Sequence, residues 1–95
     1  MIMAKIYVVK YENQADAKVF DVSYESQADL CWYKVDYENQ ADGDALWYFV
    51  EYENQADFKI FWVDYESQAD IKLFKVTYQN QAKWKNSNSF RGRIG

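Results

Sequence analysis

Six near-copies of one hexapeptide divide this chain: YENQAD from Tyr11, YESQAD from Tyr24, YENQAD from Tyr37 and again from Tyr52, YESQAD from Tyr65 and YQNQAK from Tyr78. So regular a repeat constrains the fold before composition is considered, because each unit must bury its apolar side against copies of itself. It constrains function as well. A catalytic site needs unlike groups in unlike surroundings, and equal copies do not supply them. The repetition reads as architecture.

Aligned on the hexapeptide, the units begin at Ala4, Ala17, Leu30, Ala45, Phe58 and Ile71; each has 13 residues, with Gly43-Asp44 inserted between the third and fourth. The fourth residue is aromatic (Tyr7, Phe20, Tyr33, Tyr48, Phe61, Phe74), the sixth is Val (Val9, Val22, Val35, Val50, Val63, Val76) and the eighth is Tyr. β-Branched and aromatic residues at a period of two specify one strand per unit, of about six or seven residues. The fourth, sixth and eighth positions are expected on its buried face. The opposite face is apolar at the third position (Ile6, Val19, Trp32, Trp47, Ile60, Leu73) and polar at the seventh, so one end of each strand is covered on both sides and the other meets water. The second position is mostly Lys, whose stem can lie along apolar surface.

The hexapeptide is then the reversal between strands. Its Asn13, Ser26, Asn39, Asn54, Ser67 and Asn80 share a short side chain that bonds local backbone. Gln14, Gln27, Gln40, Gln55, Gln68 and Gln81 are not favoured turn residues, yet every copy carries one. An amide offers two donors and an acceptor, so these glutamines are expected to clamp the backbone of a neighbouring segment where chain crosses chain, with the alanines beside them allowing close approach.

At 95 residues a single domain is expected, near the size at which one core becomes marginal. Aromatics at 20% make an ordered core attainable. Cys31 has no partner for a disulfide and the chain has no His, so the usual zinc and copper ligand sets cannot be assembled and a reducing compartment is indicated. The opening residues have no basic leader followed by an apolar stretch, and no run approaches a membrane span, so a soluble, cytoplasmic, monomeric protein is expected. Within residues 1–70, fifteen acids against five lysines leave a net charge of −10, which repels phosphate backbones and argues against nucleic acid on the repeats. The remainder carries six cations and no acid. One domain over residues 1–84 is expected, followed by a polar, basic and flexible tail over 85–95.

The six units fall into two halves, 4–42 and 45–83, identical at 24 of 39 aligned positions and joined at Gly43-Asp44. Stacked as a plain β-solenoid, equivalent carboxylates would lie about 4.8 Å apart, each contact costing about 1 kcal/mol even in water. Interleaving the halves relieves that repulsion, and so does a closed β-meander. The YE(N/S)QAD turns, the F/Y-x-V-x-Y strands and the Gly-Asp interruption together resemble the septknot family, small bacterial proteins of unknown function. The resemblance spans about residues 4–84. It implies an all-β chain whose intertwined three-repeat halves form a deep, seven-crossing torus knot, with the reversals as the crossings. Cys31 and Leu46, where other units have Lys, and Gln79 and Lys83 in the last turn depart from the pattern without disturbing the strands.

The resemblance implies no specific function. Glu12, Glu25, Glu38, Glu53 and Glu66, with Asp16, Asp29, Asp42, Asp57 and Asp70, are acids without a distinguished pair, so neither catalysis nor a cofactor is expected. No calcium loop with its required glycine is present, and no metal site is expected. At the fifth position, Phe49 and Trp62 stand in consecutive units where others mostly place charge. The sequence supports a non-enzymatic, structurally robust protein, or alternatively an interaction module working through Phe49 and Trp62.

Overall fold

The computed structural model of the protein describes residues 4–94; Met1 to Met3 of the expected domain and Gly95 of the expected tail lie outside the described residues. Each unit forms one strand: β1 (Ala4–Val8), β2 (Ala17–Asp21), β3 (Leu30–Lys34), β4 (Leu46–Phe49), β5 (Phe58–Trp62) and β6 (Ile71–Lys75), with a short β7 (Lys83–Trp84) after the last. The first six have four or five residues, fewer than the periodicity suggests, because the chain leaves the strand before its Val. Each reversal is a single turn of 3-10 helix, such as Glu12–Gln14 after β1 and Glu53–Gln55 after β4.

The strands run in the order β4-β1-β5-β2-β6-β3, and β3 pairs in turn with β4, so six parallel strands close into a barrel. Every strand of residues 4–42 lies between two strands of 45–83, and none pairs within its own half. The halves therefore interleave, and the alternatives of a solenoid of consecutive units or a meander are overturned. Closure also removes the free edges on which such short strands would otherwise depend.

Register explains how parallel strands can be joined by so short a connection. Ile60 pairs with Val8 at the end of β1 on one side and with Ala17 at the start of β2 on the other. Val19 stands likewise between Trp62 and Ile71, Leu73 between Asp21 and Leu30, and Ile6 between Phe49 and Phe58. Each of these connections thus steps over one strand of the other half. A circuit from Trp47 to Ala4 that advances two residues on each of β1, β5, β2 and β6 and four on β3 returns through Lys34 to Trp47, a total stagger of 12. Six strands so staggered tilt by about 55° from the barrel axis, against the usual ~35–45°. That tilt brings the end of one strand level with the start of the next.

Three strides of this kind come full circle: Lys34 and Ala4 face Trp47 from opposite sides. A fourth equal stride would land on β1 itself. The chain instead lays β4 beside β3, and the two inserted residues stand at this change of step, with Gly43 at φ 70, a left-handed conformation that suits glycine.

First- and third-position residues form the central core: Ala4, Ile6, Ala17, Val19, Leu30, Trp32, Trp47, Phe58, Ile60, Ile71 and Leu73 are all buried together. This corrects the expected face. The fourth-position aromatics are half-buried on the outside, the valines are mostly buried but lie outside the central cluster, and the eighth-position tyrosines are 61–68% exposed. A strand covered on both faces loses the contrast that identifies its inner side, and the Tyr lies beyond the strand, where parity no longer applies. Each Val still extends the ladder through its backbone, as Val9 N–H donates to Ile60 O at 2.9 Å and Val63 N–H to Val19 O at 3.0 Å.

Residues 85–94, expected as a polar tail, fold back over the N-terminal end of the barrel. Three alanines in the first layer (Ala4, Ala17, Ala45) leave volume there, which Ile94, 1% exposed, and Phe90, edge-on to Phe58 at 5.8 Å, help to fill. The polar residues that suggested freedom satisfy turn carbonyls instead: Asn86 Nδ2 donates to Ala28 O at 3.2 Å and Asn88 Nδ2 to Asp70 O at 3.2 Å. Asp44, from the insertion, accepts at its carboxylate from Trp84 Nε1 at 2.8 Å, Ile94 N–H at 3.1 Å and Gly92 N–H. β7 pairs antiparallel with the first part of β3, whose last part pairs with β4.

Candidate functional site

The six hexapeptide turns have one local geometry. In the first, Gln14 N–H donates to Tyr11 O at 3.1 Å and Ala15 N–H to Glu12 O at 3.1 Å, and the other five repeat it. All six glutamines are exposed. Gln40, Gln55 and Gln81 accept the backbone N–H of Tyr37, Tyr52 and Tyr78 at 3.1–3.3 Å, closing their own turns. Among the described residues the side chains of Gln14, Gln27, Gln40, Gln55, Gln68 and Gln81 make no hydrogen bond to a neighbouring segment, because a residue three places into a tight turn has its own first N–H nearest to hand.

The aspartate that ends the hexapeptide makes the crossing bond. Asp16 N–H donates to Lys59 O at 2.8 Å while its Oδ2 accepts Lys59 N–H at 2.9 Å. Asp29 with Lys72, and Asp70 with Lys18, repeat the same two-point contact. Asp57 makes only the backbone half, to Lys5 O at 2.8 Å. The sequence signal for this contact is the Asp that closes five of the six hexapeptides. The glutamates take part only in exposed ion pairs, of which Lys59–Glu53 and Lys85–Glu25 at 3.2 Å are the shortest.

Chemical variety is concentrated at the C-terminal end of the barrel strands. The fifth-position residues ring this mouth in the order Phe49, Val8, Trp62, Asp21, Lys75, Lys34, so one arc is apolar and the other charged. Phe49 and Trp62, consecutive in the repeat, are separated in space by β1 and joined by Val8, which is 41% exposed. Both aromatics are half-buried and pack on the core. Beneath them Trp32 stacks on Trp47 with centroids 4.8 Å apart, and Phe49 meets both edge-on at 5.7 and 6.1 Å.

Lys75 Nζ lies 5.6 Å above the Trp32 ring, a cation–π arrangement. Trp47 Nε1 donates to Asp44 O at 2.6 Å, whereas Trp32 Nε1, buried on the mouth side, has no hydrogen-bond partner. Burial pushes the Asp21 carboxyl above its ordinary range, opposed by the nearby Trp32 N–H and by Lys75. The Trp32 N–H therefore acts on Asp21 without reaching hydrogen-bond geometry. Between β3 and β6 the rim opens into a groove of about 410 Å³ lined by Tyr33, Lys34, Asp36, Lys75, Val76 and Thr77. Phe49 and Trp62 stand out in the sequence by residue type, whereas Trp32, Lys34, Lys75 and Asp21 become neighbours only through the interleaved strand order.

Among the described residues no group of three or more His, Cys, Asp or Glu is placed to hold a metal ion, and no helix is long and apolar enough to cross a membrane. Residues 3–85 match the family model described as the 7(1) septoil knot domain, Septknot. No curated protein and no solved structure matches the chain. The family match ends where the folded-back tail begins.

Proposed function

The chain belongs to the Septknot family, and from that premise we propose that it is a non-enzymatic binding module, a knotted barrel that holds one amphipathic mouth rigid. Membership assigns no specific function, so the reading rests on one observation: the apolar arc Phe49–Val8–Trp62 faces the charged arc Asp21–Lys75–Lys34 across a ring of six strands. Ligand sites in parallel-stranded barrels gather at the C-terminal strand ends, where side chains from several strands converge. The acidic turns are a poorer candidate for chemistry, because Asp16, Asp29 and Asp70 already spend their carboxylates on backbone N–H groups.

Interleaved halves whose connections pass over each other's strands favour the seven-crossing knot that the family's description names. We read the protein as a cytoplasmic monomer of high kinetic stability, since no end can leave a knot until much of the fold has loosened. Unfolding in urea over minutes or longer is the expected consequence, and unfolding complete within a second would count against the knot. A fragment library screened through the indole N–H resonances tests the binding role. Hits are expected to move Trp32 and Trp62 together. If no fragment moves them, the domain is a robust scaffold without a site at its mouth.

A further inference from the structure

Within the fifth-position ring of the mouth, cationic donors outnumber acidic acceptors. Lys34 and Lys75 have no ion pair among the described residues, and Asp21 is the single acid of the ring. Trp32 adds a donor of a different kind: its side chain is 5% exposed and its Nε1 makes no hydrogen bond, the Asp21 carboxyl that it influences standing outside hydrogen-bond geometry. An orphaned buried N–H is costly, and an acceptor brought within reach recovers that cost. The position over the Trp32 ring that would suit a ligand's ammonium group is already taken by Lys75 Nζ at 5.6 Å. The stacked Trp32–Trp47 pair fills the barrel below, so a ligand lies across the rim and does not enter the interior.

We infer that the mouth binds a small amphipathic carboxylate, with its head between Lys34, Lys75 and the Trp32 indole N–H and its apolar body along Phe49, Val8 and Trp62. This rests on the mouth being a binding site and adds the class of ligand. Two lysines supply the charge-assisted bonds a carboxylate needs, and the groove between β3 and β6 gives the head a path to them, with Asp36 on its wall limiting how far outward it can sit. The apolar arc matches a short acyl chain or an aryl ring, whose burial supplies the rest of the affinity.

The test uses the full chain labelled with 15N and three probes of equal length: octanoate, octylammonium and 1-octanol. Octanoate is expected to saturate, moving the Trp32 indole N–H downfield as it gains an acceptor and shifting Trp62 with it. Lys75→Gln should weaken octanoate by about tenfold, the loss of one charge-assisted bond, while leaving octanol unchanged. Lys75 is exposed, so its amide spectrum reports an intact fold. If octylammonium or octanol binds at the mouth as tightly as octanoate, the mouth remains a site and the ligand class is wrong. If none of the three moves Trp32 or Trp62, both readings are overturned.

Discussion

Asp16 and Lys59 exchange two hydrogen bonds across the boundary between halves: Asp16 N–H donates to the Lys59 carbonyl at 2.8 Å and Lys59 N–H donates to the Asp16 carboxylate at 2.9 Å. The carboxylate thereby takes the place of a strand carbonyl where the ladder would otherwise end. Asp16→Ala and Asp70→Ala should each lower stability by about 1–2 kcal/mol, the range for a charge-assisted bond to backbone. Asp57→Ala should cost less, since Asp57 makes only the backbone contact. Urea midpoints at constant m-value check this, and equal losses in all three would show that the carboxylate bond is not what matters.

Ile60 is fully buried between Val8 and Ala17, while Tyr65, the eighth residue of the same unit, is 67% exposed. Ile60→Ala should cost about 2–5 kcal/mol as a core truncation. Tyr65→Ala should stay within about 0.5 kcal/mol, as exposed substitutions do. Thermal denaturation of the two variants gives the comparison, and a large loss at Tyr65 would return the eighth position to the core.

How much of this was legible follows from what period two can carry. The six barrel strands, their spacing and the joint at Gly43-Asp44 were readable because each is written in the local sequence, whereas β7, which pairs antiparallel with β3, was not. The inner face was not, since Ile6 and Tyr7 are both apolar and a doubly covered strand makes either side look like core. Phe49 and Trp62 stood out by type, but their partners did not: Trp32 reaches Phe49 only because β4 closes against β3. The path of the tail was hidden for a related reason. Its Asn86 and Asn88 look like free polar residues until the turn carbonyls they serve are in place.

Asp44 links the joint between the halves to the end of the chain through Trp84, Gly92 and Ile94. Asp44→Ala should leave those N–H groups unsatisfied and destabilise by about 1–3 kcal/mol. Hydrogen exchange should quicken at Gly92 and Ile94 before it does at Val9 or Val63. Uniform acceleration at all four would mean that the tail is part of the global unfolding unit and not a separate latch.

Asp21 gives stability a predictable pH dependence. Its carboxyl is raised above the ordinary 3.8, chiefly by burial, so the folded protein holds this proton more firmly than the unfolded chain does. The resulting destabilisation is fully present above the raised pKa, diminishes as pH falls through it and vanishes below 3.8. Asp21→Asn should therefore stabilise at neutral pH by a small amount, limited by solvent screening at the exposed rim, and be neutral at pH 3. A variant that gains its stability only in acid would reverse the sign and exclude burial as the dominant effect.

Cys31 offers a direct clock for opening of the barrel. Its thiol is fully buried, on the strand that carries both β4 and β7 along one edge. Burial, reinforced by Glu25, pushes the thiol's pKa up against the pull of Lys85 and Lys83, so little thiolate is present while the fold is intact. Modification by a thiol reagent must therefore wait for opening. Should lifting β7 be enough, labelling would be fast, insensitive to urea and faster still in Asp44→Ala. Should exposure need the interleaved halves to separate, labelling would be as slow as unfolding measured by tryptophan fluorescence and would rise with urea along the same slope. The backbone pairing of Cys31 with Phe74 on β6 favours the second course, because it stays in place when β7 is removed. Matching rates across a range of urea concentrations are the expected result, and a urea-independent labelling phase of full amplitude would refute it.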